Sequence, residues 1–126
     1  EKVKVLQAIR TLEDHDAVRG QYGPGIINGE EVTGYQQEKD VSPISSVETY
    51  AALRLHIDNW RWAGTPFYIR SGKRMPKRST EIAVTFKNPP GVLFQNGRHK
   101  NDPNVLVMRI QPDEGISLKI NCKVPG

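Results

Sequence analysis

The sequence is short of nearly everything that would commit it to a disulfide, a metal or a membrane. It has 1 cysteine, Cys122, in 126 residues. No intramolecular disulfide can form, no CxxC or Cys/His pairing marks a metal site, and Cys122 is expected to be an ordinary free thiol. No apolar run approaches the roughly 20 residues that span a bilayer. The opening EKVKV and the charge interleaved among the early hydrophobic residues are unlike a secretory signal, so the chain reads as cytoplasmic. Aromatic residues are sparse after Tyr68, leaving few rings on which nucleic-acid bases would stack. Carboxylates are missing altogether from residues 59–78, NWRWAGTPFYIRSGKRMPKR. Within that stretch GKR lacks the upstream glycine spacing of a Walker loop, which excludes that mode of nucleoside triphosphate binding. His15, His56 and His99 have no acid or nucleophile at suggestive spacing, and none is expected to be catalytic.

What is present describes a soluble globular protein: 37% hydrophobic residues, 25% charged residues and a net charge of +4. The length suits one domain, which at this size buries roughly two thirds of its unfolded surface, so a hydrophobic core is expected without disulfides. The excess positive charge is concentrated in Arg70, Lys73, Arg74, Lys77 and Arg78, directly after the aromatic and aliphatic residues 66–69. A cluster so local suits a small anion better than a long polyanion. Gly72 lets a ligand approach the backbone, Lys73 supplies a compact charge, Arg78 offers a planar pair of donors and Pro76 stiffens the connection. The same residues also read as a solvated basic loop. Trp60 and Trp62 read as core or hairpin packing rather than a sugar-stacking platform. Gln111 and Arg109 fall on one face of a predicted strand, where each has the chemistry to bond a sugar hydroxyl and, alone, is more often a surface residue.

Periodicity sets the expected elements. Val5, Leu6, Ile9 and Leu12 recur at helical spacing, predicting a short amphipathic helix over 3–12. Residues 17–22 form a brief strand, and 23–46, rich in Gly, Pro and charge, read as a long surface loop. Over 47–58, alternation of Ala51, Leu53, Leu55 and Ile57 with Ala52, Arg54 and His56 favours a strand over the helix that the composition of 46–57 would allow. A turn at Ala63, Gly64 and Thr65 returns the chain as a strand over 67–70. Further strands are predicted at 81–86, 102–110 and 116–122, with a loop over 87–104 and a turn at Pro112 to Gly115. These imply an α+β fold: a mainly antiparallel sheet with a short N-terminal helix, one sheet face buried and the other carrying Arg109, Gln111 and Lys119.

The blocks EKVKVLQAI, RGQYG, ETYAALRLHIDNWRWAGTPFYIRSGKRM, EIAVTF and VLVMRIQPDEGISLKI, in this order, resemble glucose-6-phosphate dehydrogenase of the bacterial type, nearly end to end. RWAGTPFYIRSGK and RIQPDE are the most specific. The resemblance implies that residues 1–126 are part of the family's C-terminal, substrate-binding and dimerisation domain, and that the N-terminal NADP-binding domain is absent from this chain. It implies an enzyme that oxidises glucose 6-phosphate to the lactone with NADP, opening the oxidative pentose phosphate pathway, as a homodimer or dimer of dimers without nucleic-acid or membrane partners. The family's histidine base and substrate-anchoring lysine motif precede the matched region, so no catalytic residue is expected here. Lys73, Arg78 and Gln111 match substrate contacts. Some members hold a second, structural NADP; Arg70, Arg109 and Lys119 match basic residues of that site, whereas Ser79 and Ala83 fall where it has Lys and Arg. Neither Glu1 nor Val124-Pro125-Gly126 looks like a natural terminus, and a fragment of a longer protein is expected. The alternative reading, from another class, is a non-enzymatic β-sheet module that binds RNA or another polyanion through the basic cluster, with affinity falling steeply with salt.

Overall fold

A computed structural model describes residues 1–88 and 102–121. His99, Cys122 and the centre of the predicted loop over 87–104 lie outside the described residues. The chain divides into two compact units, Glu1–Met75 and Pro76–Gly126.

In the first unit, helix α1 runs Lys2–Gln7 and is shorter than the spacing of apolar residues predicts. Its 6 residues make fewer than two turns, and the residues beyond Gln7 pair with another segment instead. Ile9 forms an antiparallel bridge with Ile57, the Arg10 amide donates to the His56 carbonyl at 2.9 Å and the Asp58 amide to the Ala8 carbonyl at 2.8 Å. Arg10 then closes a two-pronged ion pair on Asp58, with N–O distances of 3.2 and 2.8 Å. A helix this short is marginal without tertiary support, and the backbone after it is better satisfied by pairing.

Strands β1 (Ala17–Gly20), β4 (Tyr50–Leu55) and β5 (Phe67–Gly72) form an antiparallel sheet with β4 in the centre. The predicted strand over 47–58 is therefore found. Ladders on both sides override the helix-forming composition of β4. The register sets Val18, Ala52 and Arg70 in one row and Arg54 opposite Tyr68. The β4–β5 turn is fixed by Asn59, whose side chain accepts from the Trp62 amide at 2.9 Å, and by Gly64 at φ 77. Trp62 meets Phe67 edge-on with ring centroids 5.2 Å apart, whereas Trp60 is fully exposed, contrary to a packing role for both tryptophans.

The predicted loop over 23–46 contains more structure than expected. β2 (Gly25–Ile27) and β3 (Glu30–Val32) pair as a hairpin, followed by a 3-10 turn at Tyr35–Gln37. Asn28 at φ 53 and Gly29 at φ 86 close it as a two-residue turn of the I′ kind, for which Asn-Gly is the strongest short signal.

In the second unit, β6 (Thr80–Thr85), β7 (Val105–Gln111) and β8 (Gly115–Lys119) form an antiparallel sheet in the order β6-β7-β8. The register gives Arg109 and Lys119 one face, as expected, and puts Ile82, Val84, Leu106, Met108, Ile116 and Leu118 on the other; Gln111 lies beyond a register shift and pairs with Thr80, on the Ile82 side, so the expected alternation does not carry through to it. That apolar face is not buried: Ile116 is 75% exposed and Leu118 57%. The predicted core is likewise missing, since no hydrophobic residue among those described is buried and Thr49, 7% exposed, is the one buried polar residue. A sheet buries a face only against a second layer. In the second unit the described elements are the three strands of a single sheet. No helix among the described residues is long and apolar enough to cross a membrane.

Candidate functional site

The basic loop grows from the end of β5, where Gly72 stands opposite Tyr50. A Cβ at Gly72 would lie 2.8 Å from the Tyr50 ring and 3.0 Å from Met75 sulfur, so only glycine lets Tyr50 and Met75 close over the strand end. The next amide, of Lys73, donates to the Thr49 carbonyl at 2.8 Å. Thr49 is a junction. Its own amide donates to the Gly20 carbonyl at 2.9 Å and its hydroxyl oxygen accepts from the Tyr22 amide at 3.0 Å. Burial and full hydrogen bonding go together there, because a buried polar group without partners is costly.

The five cations of the cluster do not behave alike. Arg74 sits at φ 54, a left-handed conformation that a side chain disfavours. Its guanidinium donates to the Thr33 carbonyl at 2.7 Å, pairs with the Glu38 carboxylate and lies 4.4 Å above the centre of the Tyr22 ring. Tyr22 also meets Tyr35 edge-on at 5.8 Å, and its hydroxyl donates to Glu38 at 3.4 Å. Partial burial, and then the Glu38 charge, push the Tyr22 hydroxyl above its ordinary pKa. Arg74 is thus committed to structure within its unit. Lys73, Lys77 and Arg78 are exposed, and their side chains make no hydrogen bond or ion pair among the described residues.

Arg70 lies on the sheet itself, beside an open groove of about 500 Å³ whose lining includes His15, Asp16, Arg54 and Tyr68. Arg54 and Asp16 neutralise each other at 2.8 Å, leaving Arg70 as the uncompensated cation there. His15 approaches Glu13 at 3.4 Å and Asp16 at 3.8 Å in an exposed 3-10 turn, an acid contact that sequence spacing did not suggest. The hydrogen bond from Arg54, and then the Glu13 backbone, hold the Asp16 carboxyl below the usual carboxylate range. A carboxyl lowered on folding adds stability above its ordinary pKa and loses it as pH falls through the lowered value. The thermal midpoint of the protein should therefore exceed that of Arg54→Leu by a constant margin at neutral pH, and the two should converge in acid below the ordinary carboxylate value. Parallel curves throughout would remove this pair from the acid response.

In the second unit Gln111 is the last residue of β7 and pairs with Thr80, next to a shift in register between Thr80 and Glu81. Arg78 precedes Thr80 by two residues, so Arg78 and Gln111 stand at the same end of this sheet. Arg109 faces Gly115, where a Cβ would lie 2.8 Å from its guanidinium. Lys119 is opposite Val105, four residues along β7 from Arg109 or roughly 13 Å at strand rise, and bonds Asp102 at 3.1 Å. Lys119 is thus paired with a carboxylate, Ser79 and Ala83 carry no charge, and Arg70 belongs to the first unit. No group of His, Cys, Asp and Glu among the described residues is arranged to hold a metal ion.

Sequence reasoning missed Thr49, and it counted Arg74 in the basic cluster without distinguishing its structural role. Their partners are 24 to 52 positions away in sequence, as Thr49–Lys73 and Arg74–Tyr22 show, and no local pattern signals such pairings.

A family model described as the C-terminal domain of glucose-6-phosphate dehydrogenase matches residues 1–126. Among curated proteins, glucose-6-phosphate 1-dehydrogenase of Chlamydia trachomatis is 54% identical over 129 aligned residues, covering 100% of this chain and 29% of the relative. The Bacillus subtilis protein of the same name is 51% identical, with 100% and 27% covered. The chain therefore spans little more than a quarter of the length of these relatives. Among solved structures, a glucose-6-phosphate dehydrogenase in complex with glucose 6-phosphate superposes with a TM-score of 0.86 at 37% identity, over 100% of this chain and 25% of that one. The enzyme from Mycobacterium avium superposes with a TM-score of 0.80 at 39% identity, covering 98% and 25%.

Proposed function

Because the chain belongs to the glucose-6-phosphate dehydrogenase C-terminal domain family, we propose that residues 1–126 are a substrate-binding and dimerisation part of an enzyme that oxidises D-glucose 6-phosphate to 6-phospho-D-glucono-1,5-lactone. The hydride acceptor is NADP, which supplies the oxidising chemistry when bound and is held mainly by an N-terminal domain outside this chain. The work of this chain is binding and orientation. Lys73 and Arg78 neutralise the sugar phosphate, and Gln111 bonds a sugar hydroxyl. None of the three transfers a proton. Charge neutralisation and fixed orientation are worth rate to a reaction whose proton and hydride transfers are carried out elsewhere.

The observation that carries this reading is the division of the basic loop. Arg74 is consumed by contacts within its unit, while Lys73 beside it, anchored through its backbone to Thr49, keeps an exposed ammonium with no partner among the described residues. An anchored cation without a partner suits an anion that arrives from solution. The same reading makes the enzyme a homodimer or dimer of dimers in the cytoplasm, with the exposed apolar face of β6, β7 and β8 among the surfaces that association would cover. Arg70, Arg109 and Lys119 remain the residues to test for a second, structural NADP.

The assay compares the 126-residue chain alone with the full-length enzyme. The full-length enzyme should reduce NADP in the presence of glucose 6-phosphate and the isolated chain should not. Turnover by the isolated chain at an enzymatic rate would contradict the assignment of base and nucleotide site to other sequence.

A further inference from the structure

The first unit spends three interactions of one side chain on a single residue next to Lys73. Arg74 takes a left-handed backbone conformation, and a non-glycine residue stays there only when its surroundings over-determine it. Those surroundings are the Thr33 carbonyl, the Glu38 carboxylate and the face of Tyr22. All three belong to the segment after β1, which is tied in turn to the junction at Thr49 through the Tyr22 amide. The Thr49 carbonyl accepts from the Lys73 amide. The backbone of Lys73 is thus gripped on one side by Thr49 and on the other by a neighbour clamped to Thr33, Glu38 and Tyr22.

A side chain that only added solubility would not need this geometry. An exposed lysine has four rotatable bonds and loses much freedom when it engages a ligand. Fixing the point from which it starts reduces the part of that loss that comes from the loop. We propose that Arg74 is a positioning residue: its clamp on Thr33, Glu38 and Tyr22 holds the loop so that Lys73 meets the phosphate of the sugar phosphate without reordering. Arg74 is not assigned to the substrate: both of its terminal nitrogens bond within the unit, one to Thr33 and one to Glu38. This inference rests on the assignment of Lys73 to substrate made above.

A double-mutant cycle in the full-length enzyme tests it, with KM for glucose 6-phosphate, kcat and thermal midpoint measured for each variant. Arg74→Leu should raise KM by roughly tenfold and leave kcat nearly unchanged, because the phosphate is bound equally in ground and transition states. In a Lys73→Ala background the same change should leave KM within about twofold, since residues acting through one another are not additive. Arg74→Lys, which keeps the charge toward Glu38 but not the fork that reaches Thr33 as well, should recover part of the loss. Glu38→Gln, a milder change, should raise KM in the same direction and serves if Arg74→Leu does not fold. A lower thermal midpoint with unchanged KM in Arg74→Leu or Glu38→Gln, while Lys73→Ala raises KM, would overturn the positioning role and leave the substrate assignment standing. Equal increases from the arginine change with and without Lys73 would overturn it as well. An unchanged KM in Lys73→Ala would instead remove the substrate assignment, and the clamp proposal with it.

Discussion

Lys73→Ala in the full-length enzyme should raise the KM for glucose 6-phosphate by about ten- to a hundredfold and leave kcat within a few-fold. The magnitude comes from the kind of contact. A hydrogen bond to a charged group is worth about 1.5 to 3 kcal/mol, and about 1.4 kcal/mol is a factor of ten. The split between constants comes from where the contact is made. The phosphate carries the same charge before, during and after oxidation at the other end of the sugar, so its neutralisation stabilises ground and transition states alike. An interaction of that type appears in KM, whereas loss of a proton acceptor would appear in kcat. Steady-state kinetics over a range of substrate concentrations read the difference. A fall in kcat with KM unchanged would mean that Lys73 acts on the chemistry.

Gly72→Val should be the most damaging single change in the strand that carries the loop. Gly72 is directly opposite Tyr50, and a Cβ there meets the ring at 2.8 Å and Met75 sulfur at 3.0 Å. The ring atom it meets lies close to the Tyr50 backbone rather than at the far end of a flexible side chain. The strand end must shift, and overpacking of this sort costs about 1 to 3 kcal/mol. The shift also falls on the residue before Lys73, so KM for glucose 6-phosphate should rise together with the loss of thermal stability. Gly72→Ala brings the same clash with fewer atoms and should show both effects at smaller size. Thermal unfolding and kinetics on the two variants check this. A Gly72→Val enzyme with unaltered midpoint and unaltered KM would show that Tyr50 and Met75 do not close over this position.

The elements of this fold are legible in the sequence where periodicity is supported by turn chemistry. The alternation through β4 identifies a strand despite helix-forming residues, and the β7–β8 turn announces itself at Pro112 to Gly115. Asn28-Gly29 is an equally plain signal for the β2–β3 hairpin, hidden by the Gly, Pro and charge of the region around it. Helix α1 is shorter than its pattern because the spacing of Ile9 and Leu12 fits a helix, whereas Ile9 is claimed by Ile57, 48 residues away. The missing core is not legible at all. The alternation of Ile82 and Val84, like that of Ile116 and Leu118, says which face is apolar and cannot say whether anything covers it.

For the candidate site, composition draws attention to the right loop but treats its five cations as equivalents. The division between Arg74, committed to Thr33, Glu38 and Tyr22, and Lys73, whose side chain has no partner among the described residues, depends on chain segments brought together from more than 30 positions apart. Charge in a sequence marks where an anion is welcome. Folding decides which of those charges are still available to it.

The most direct test compares glucose 6-phosphate with unphosphorylated glucose as substrates of the full-length enzyme and of Lys73→Ala. In the variant kcat/KM for glucose 6-phosphate should fall by about tenfold or more, the loss expected for one charged contact, while the residual rate with glucose stays as it was. Equal losses with both sugars, or no loss with either, would contradict the assignment of Lys73 to the phosphate.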